Sequence, residues 1–296
     1  MPPRNTYLRK INGKGDSAKM AKIAFIGAGS IADVLINNLI NRYGASPKDV
    51  AVSNPSRPKL EYMSNTYRVA VFDDNSKAIE WGDYIFVCVR PQAVPSVIGD
   101  MKTADMKGKT VISITSGIPI AHYREELPDV YLTRALPNPP SRIGEGAIPV
   151  TLDDRMPDEK KVMVLAMLSA MDPCFPVSEE KIDVFTSVTS PAPTFAFFEA
   201  LVDSAVYCGV DYKTACSMVK QTIKGCLALW EQGDENISSH LIECCTPGGT
   251  SVESLRVMDR GAFKSTVKEA YIAAYEKSRS YASKTVGPRP TPRKET

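Results

Sequence analysis

Short apolar runs rich in β-branched residues alternate with helix-like stretches along the first half of the chain. The runs lie between residue 22 and residue 152 and have the sequences KIAFIG, VAVS, YIFVCV, TVISI and VYLTRA. The stretch after the first run repeats apolar residues at helical spacing, at Ile31, Val34, Leu35 and Leu39. This alternation predicts a parallel sheet with helices on both faces.

The pattern changes after residue 178 to nearly continuous helix. Two long apolar stripes at helical spacing dominate this part. The first stripe is Phe198, Leu201, Val202, Ala205 and Val206, and the second is Ala215, Met218, Val219, Thr222, Ile223, Cys226, Leu227 and Trp230. A helix as apolar as the second is either a central core helix or one that meets a second subunit, and the sequence leaves both interpretations open.

A glycine-rich turn joins the first predicted strand to the first predicted helix. The sequence IAFIGAGSIA contains the pattern G-x-G-x-x-A in the strand-turn-helix context of a dinucleotide-binding fingerprint. In that fingerprint Gly27 permits the tight turn, Gly29 lets a pyrophosphate approach, and Ala32 keeps the helix close to the sheet. We therefore predict a Rossmann-type domain. The residues of this turn expected at the cofactor are Gly27, Ala28, Gly29, Ser30 and Ile31.

The second predicted strand ends without the carboxylate that binds the ribose of NAD in many such domains. Its end carries Ser53, Asn54 and Arg57 instead. Hydroxyl, amide and guanidinium groups suit a 2′-phosphate, so we expect these three residues at the cofactor and favour NADPH, with NADH as the second option. A solvated residue at the start of a helix is the alternative interpretation of Arg57.

Three further segments follow predicted strands, where ligands of an open α/β sheet bind. They supply Asn75, the sequence Val89-Arg90-Pro91, and Asn138 as candidate cofactor contacts. Asn75 also has the residue type and position of a helix N-cap. The proline-rich loop around Asn138 suits a stiff site wall and a simple domain connector equally well.

The segment CCTPGGTSVESL, residues 244–255, places a proline and two glycines directly before a predicted helix. Such a turn either starts the helix without further purpose or lets a ligand approach bare backbone N–H groups. The segment alone does not decide between these interpretations.

Composition limits the other classes of partner. The 296 residues are 43% hydrophobic and carry a formal net charge of +2, which gives little support to nucleic acid or an anionic membrane as partner. Seven cysteines without CxxC pairs and two histidines predict no metal site. No apolar run reaches the length of a membrane span, and residues 1–21 lack the apolar core of a secretory signal, so cytoplasm is the default location.

Taken in order along residues 21–283, the motifs resemble the pyrroline-5-carboxylate reductase family. They are IGAGSIA, Asn75, VRPQ, RALPNPP, TSPAPT and TPGGTS. The resemblance implies an NAD(P)H-dependent reduction of the cyclic imine L-1-pyrroline-5-carboxylate to L-proline. It also implies a Rossmann-type domain followed by an all-α dimerisation domain, assembled into homodimers or larger homo-oligomers.

The same resemblance implies roles for the TPGGTS turn. Ser251 matches the hydroxyl near the imine nitrogen and is the candidate catalytic residue. The hydroxyl of Thr246 and the backbone around the turn would bind the substrate carboxylate. The candidate substrate-binding residues are Thr246, Gly248, Gly249, Thr250 and Ser251. The alternative is that Thr246 only caps the helix and that Ser251 is a surface hydroxyl.

We divide the chain into a disordered N-terminal tail (1–21), a Rossmann domain that binds NAD(P) (22–178), an all-helical substrate and dimerisation domain (179–284) and a disordered, proline-rich C-terminal tail (285–296). The segment VTSPAPTF departs from the family's glycine-rich GSGPAY, and we expect Val188 and Thr189 to crowd the space that glycines leave open. A relative that reduces another cyclic imine or small acid, and an inactive dinucleotide-binding regulator, are therefore the alternative functions.

Overall fold

An eight-stranded sheet with the order β3-β2-β1-β4-β5-β6-β7-β8 forms the centre of the amino-terminal part of the protein. The strands are β1 (Ile23–Ile26), β2 (Val50–Ser53), β3 (Ala70–Phe72), β4 (Tyr84–Val87), β5 (Thr110–Ser113), β6 (Tyr131–Ala135), β7 (Ile148–Leu152) and β8 (Cys174–Pro176). The five apolar runs named from the sequence are β1, β2, β4, β5 and β6. The computed structural model describes residues 21–233 and 236–286.

Neighbouring strands are parallel except β6 and β7, which are antiparallel. The segment between these two strands holds only a short 3₁₀ helix, Pro139–Ile143, rather than the long crossover that a parallel return requires. The sheet is therefore mostly parallel, and the carboxyl ends of β1 to β6 all lie at one edge.

Helices cover both faces of this sheet. Those before residue 190 are α1 (Ser30–Asn38), α2 (Arg57–Tyr67), α3 (Asn75–Trp81), α4 (Val94–Lys102), α5 (Ile120–Glu126), α6 (Asp158–Ser169) and α7 (Glu179–Val188). Every residue of β1 is buried, with Ile23 and Phe25 in one core cluster and Ala24 and Ile26 in the other. Because successive side chains of a strand point to opposite faces of the sheet, this one continuous apolar run contributes residues to both cores.

The helices after residue 190 are α8 (Pro191–Tyr207), α9 (Tyr212–Glu231), α10 (Ile237–Glu243), α11 (Thr250–Arg260) and α12 (Phe263–Val286). The described residues form two compact units: those within 190–273 make one, and residues 21–189 together with residues 274–286 make the other. The predicted tails, 1–21 and 285–296, lie almost wholly outside the described residues, and residues 285–286 are the last two of α12.

A buried ion-pair cluster fastens α7 to the sheet unit. Arg134 on β6 is fully buried and donates from Nη1 to Oε1 of Glu179 at 3.0 Å and from Nη2 to Oδ1 of Asp183 at 2.9 Å. Glu179 Oε1 also accepts the backbone N–H of Ile120. The helix that the sequence places at the start of the second domain therefore belongs to the first compact unit, whose boundary falls after Thr189.

Most side chains of the first apolar stripe are half-buried in the single chain, whereas most of the second stripe is exposed. No residue of α8 is buried, and in α9 Ala215 is the buried one. Leu227 is 53% exposed and Phe195 63%. An apolar groove of about 670 Å³ runs between α8 and α9. Of the two interpretations of the second stripe, the central core helix is therefore wrong for the single chain.

We expect Arg134→Met to lower the free energy of unfolding by about 3–5 kcal/mol, because it withdraws the cation from the buried Asp183 carboxylate. Urea unfolding without added nucleotide measures this. Arg57→Met is the matched control, since the Arg57 ion pair with Glu61 is exposed and should contribute less than about 1 kcal/mol. Equal losses in the two variants would contradict the structural role of the buried cluster.

Candidate functional site

Gly27 turns the chain from β1 into α1 in a conformation that other residues rarely adopt. Its φ is +108°, and its N–H donates to the carbonyl of Ser53 at 2.8 Å. A Cβ at this position would lie 2.6 Å from the carbonyl oxygen of Cys88. Burial raises the pKa of the Cys88 thiol, so this neighbour stays a neutral packing group. Gly27 permits the tight turn, as the motif predicts, and ties β1, β2 and β4 together.

Gly29, unlike Gly27, is not required to be glycine by its backbone conformation or by a steric contact. It is the N-cap residue of α1 with φ −87°, and a Cβ there would meet no atom within 4 Å. The fold therefore tolerates a side chain at this position, whereas glycine leaves open the approach to the unpaired N–H groups that start α1. Ala32 is fully buried, which keeps α1 on the sheet.

Asn75 begins α3 but does not cap it. Asp74 is the N-cap, and its carboxylate accepts the N–H of Ser76 at 2.8 Å, so the cap interpretation of Asn75 is wrong. The Asn75 amide instead accepts from Ser53 Oγ at 2.6 Å and donates to Asp100 Oδ2 at 2.8 Å. Asp100 has no local sequence signal, since it lies 25 positions from Asn75 and is brought there by the fold.

Ser53, Asn54 and Arg57 differ in their access to a ligand. Ser53 is 1% exposed and its hydroxyl donates to Asn75 Oδ1. In this structure it therefore positions Asn75 and is too buried to contact a cofactor directly. Asn54 Oδ1 accepts the N–H of Ser56 and shapes the turn before α2. The Arg57 side chain is 89% exposed beside Glu61, a weak pairing that leaves its guanidinium able to turn toward an anion.

The loop after β4 and the proline-rich loop after β6 lie at the same edge of the sheet. Val89 accepts the hydroxyl of Thr115 through its carbonyl, and Arg90 is an exposed residue before the 3₁₀ helix Pro91–Ala93. Asn138 donates to the Thr189 carbonyl at 3.0 Å and accepts the N–H of Ala147 at 3.1 Å, so its amide holds the proline-rich loop.

This loop forms one wall of a cleft of about 280 Å³ above β1 and β5. The opposite wall is the start of α1. The lining residues are Ser30, Ile31, Val34, Ile114, Pro137, Asn138, Pro139 and Arg142. Of the two interpretations of the proline-rich loop, the structure supports the wall of a cleft, and it brings three of the predicted residues, Ser30, Ile31 and Asn138, together.

The TPGGTS turn lies in the helical unit, at the start of α11. Gly248 has φ +73°, and Gly249 is the N-cap residue, whose N–H donates to the carbonyl of Thr246 at 2.9 Å. A Cβ on Gly249 would lie 2.5 Å from Thr246 Oγ1. Thr246 therefore packs against the turn without capping the helix. Thr246, Gly248, Thr250 and Ser251 are exposed, so the turn presents its hydroxyls and the first N–H groups of α11.

The segment that departs most from the family's motif lies at the end of α7. Val188 is 60% exposed, and Thr189 donates its hydroxyl to the carbonyl of Phe185 while its own carbonyl accepts from Asn138. Thr189 is thus part of the support of the cleft wall. This contact was not predicted, because it joins positions 51 residues apart.

The part of the chain that the structure describes offers neither a metal centre nor a membrane span. No group of three or more His, Cys, Asp or Glu side chains there is arranged to hold a metal ion. None of the described helices has the length and apolar character needed to cross a membrane. The candidate residues fall into two groups. One lies at the carboxyl ends of β1, β2 and β4, around Gly27, Gly29 and Asn75, and is the candidate nucleotide-binding edge. The other is the TPGGTS turn.

Two family models match the chain. The model described as pyrroline-5-carboxylate reductase dimerisation matches residues 179–281, and the one described as NADP oxidoreductase, coenzyme F420-dependent, matches residues 22–117. The first begins where the sequence places the start of the helical domain, although the compact unit begins at Ser190.

Similar proteins cover nearly the whole chain. Pyrroline-5-carboxylate reductase of Mycobacterium tuberculosis is 31% identical over 287 residues, which span 88% of this chain and 96% of that protein. The enzyme of Synechocystis is 26% identical over 89% of this chain and 99% of that protein. A solved structure of Plasmodium falciparum pyrroline carboxylate reductase with NADP bound has a TM-score of 0.81 at 24% identity, covering 90% of this chain and 100% of that one. The chain belongs to the pyrroline-5-carboxylate reductase family.

Proposed function

We propose that this protein is a pyrroline-5-carboxylate reductase, which uses NAD(P)H to reduce L-1-pyrroline-5-carboxylate to L-proline in proline biosynthesis. The observation that carries the proposal is the relationship to the Mycobacterium tuberculosis reductase over 88% of the chain. The exposed TPGGTS turn supports it, because this turn keeps the family's form at the start of α11.

The nucleotide-binding edge fits a dinucleotide. The open space over Gly29 and the start of α1 suit the pyrophosphate, and the exposed guanidinium of Arg57 suits a 2′-phosphate. The end of β2 carries no carboxylate, which favours NADPH over NADH. The bound nucleotide supplies a hydride.

The TPGGTS turn fits the other half of the reaction. The Thr246 hydroxyl and the N–H groups of Thr250 and Ser251 bind the substrate carboxylate at the positive end of α11, while the Gly249 N–H is used by the Thr246 carbonyl and shapes the turn. Hydride addition to the carbon of the C=N bond leaves electron density on the nitrogen, which must take up a proton. The protein therefore need only hold the ring in place and supply one donor to the unprotonated nitrogen. The exposed hydroxyl of Ser251 is the donor.

The helical unit associates with a second copy of the chain to form a homodimer. The apolar stripe of α9 is mostly exposed in the single chain, as is Phe195 of α8, and the groove between the two helices is lined mostly by apolar side chains. Such a face needs cover in water. The match of residues 179–281 to a dimerisation model supports another subunit as the cover.

A second candidate function is the reduction of a different cyclic imine. The sequence VTSPAPTF favours it, because Val188, Thr189 and Ser190 stand in place of the family's glycine-rich helix entry. An inactive protein that binds NADPH as a regulator is the third candidate. Both predict nucleotide binding, and they differ from the first proposal in turnover. The protein acts in the cytoplasm in all three.

Oxidation of NADPH or NADH by the purified protein tests these candidates. The substrates are pyrroline-5-carboxylate, pyrroline-2-carboxylate and their six-membered analogues. Turnover with the first compound alone, and a higher kcat/KM with NADPH than with NADH, are the expected results. Turnover with another imine alone would replace the first candidate by the second, and nucleotide binding without turnover would replace it by the third.

We expect Ser251→Ala to lower kcat/KM for the imine on the order of 100-fold, because it removes the hydrogen-bond donor to the reacting nitrogen. Steady-state kinetics measure the loss. Ser254→Ala is the matched control on the same helix, since the Ser254 hydroxyl is used by the Thr250 carbonyl. A wild-type kcat/KM in Ser251→Ala would remove Ser251 from the mechanism.

Alanine at the two glycines of the fingerprint should separate folding from binding. Gly27→Ala is expected to lower the free energy of unfolding by roughly 2–4 kcal/mol, through its positive φ and the contact with Cys88. Gly29→Ala should change it by less than about 1 kcal/mol but weaken NADPH binding at least tenfold, since its methyl group occupies the approach to α1. Urea unfolding and nucleotide titration measure the two effects. Wild-type binding by Gly29→Ala is the contrary result.

Leu227→Glu should convert the homodimer into monomers, because it places a charge on the apolar stripe of α9 that the dimer would bury. Sedimentation velocity at micromolar concentration measures the change. Gln221→Glu adds the same charge at an exposed polar position of the same helix and should leave the dimer intact. A wild type that sediments as a monomer would disprove the assembly.

A further inference from the structure

Three polar side chains from three separate elements form one chain of hydrogen bonds at the nucleotide-binding edge. Ser53 ends β2, Asn75 begins α3, and Asp100 lies near the end of α4. Ser53 Oγ lies 2.6 Å from Asn75 Oδ1, and Asn75 Nδ2 lies 2.8 Å from Asp100 Oδ2. Asn75 and Asp100 are partly exposed, whereas Ser53 is buried.

The carboxylate of Asp100 determines which way the Asn75 amide faces. A hydroxyl such as that of Ser53 can donate or accept, so Ser53 alone would pair equally well with either end of an amide. A carboxylate only accepts. Asp100 therefore holds the NH₂ group of Asn75 on its own side and turns the Asn75 oxygen toward Ser53, which becomes the donor.

The fixed amide keeps two capacities for a ligand: one N–H of Nδ2 and one lone pair of Oδ1. A donor beside an acceptor matches a hydroxyl, which can accept from the first and donate to the second. A phosphate offers acceptors alone. The group that fits is therefore a ribose hydroxyl of the dinucleotide that NADH and NADPH share.

We propose that Asp100 is a positioning residue for the nucleotide: it holds the Asn75 amide in the one orientation that matches a ribose hydroxyl. Asp100 acts through Asn75 and touches no ligand itself. This proposal rests on the proposed function only in that the ligand is NAD(P)H, and it applies whichever imine is reduced.

The variants Asp100→Ala and Asp100→Asn test it by titration of the protein with NADPH and with NADH, followed by fluorescence. Asp100→Ala should raise the Kd of both nucleotides at least twofold, because Ser53 alone holds either end of the Asn75 amide equally well and the competent fraction falls to half or less. Asp100→Asn should raise it about twofold, because an amide at position 100 accepts either orientation of Asn75 and halves the competent fraction. The kcat at saturating nucleotide should stay unchanged.

A double-mutant cycle separates positioning from a merely structural effect. In the Asn75→Ala background, Asp100→Ala should cause no further loss of binding, since its effect passes through Asn75. Asp105→Ala removes the same charge at the opposite edge of the sheet and should bind both nucleotides as the wild type does. Arg57→Ala should weaken NADPH alone, which distinguishes the two kinds of contact.

Three results would overturn the proposal. The first is a double variant whose increase in Kd is the product of the two single increases, and the second is an unchanged Kd in Asp100→Ala. The third is a fall in Tm large enough to account for the weaker binding. Because the titration needs no imine, a wild type that binds nucleotide without turnover disproves the proposed function and leaves this test intact. A wild type that binds neither nucleotide disproves both.

Discussion

The backbone turn at Gly27 is the constraint on which the nucleotide-binding edge depends. Its positive φ lets the chain leave β1 within hydrogen-bond distance of the Ser53 carbonyl and against the Cys88 carbonyl, so the ends of three strands converge there. The start of α1, the end of β2 and the loop after β4 are all placed by that convergence. A side chain at position 27 would disturb them together, whereas one at position 29 would disturb only what binds above α1.

Patterns within short stretches of sequence predicted the elements whose conformation depends on neighbouring residues. The buried strands appear as continuous apolar runs, and the glycine fingerprint appears between a strand and a helix, so the fold and the position of the edge follow from the sequence. The antiparallel β7 and the attachment of α7 do not. Arg134 lies within the RALPNPP segment, but only the folded chain shows that its guanidinium is buried between Glu179 and Asp183.

The candidate residues divide in the same way. Residue type and position identified Asn75 and the TPGGTS turn, yet did not distinguish a cap from a ligand contact. That distinction depends on Asp74, which takes the capping role, and on Asp100, which lies on another helix. Ser53 shows the converse: its residue type suits a nucleotide contact, and its burial directs its hydroxyl to Asn75.

Because the apolar stripe of α9 is exposed in the single chain, the proposed dimer makes the stability of the helical unit depend on the protein concentration. A single chain leaves Leu227 and its neighbours in water, and in the proposed dimer the burial of this face stabilises the folded state by mass action. The free energy of unfolding of the helical unit is then tied to the amount of protein present. In the proposed dimer, dilution therefore lowers the free energy of unfolding of this unit, whereas the sheet unit has two internal cores that a single chain buries by itself.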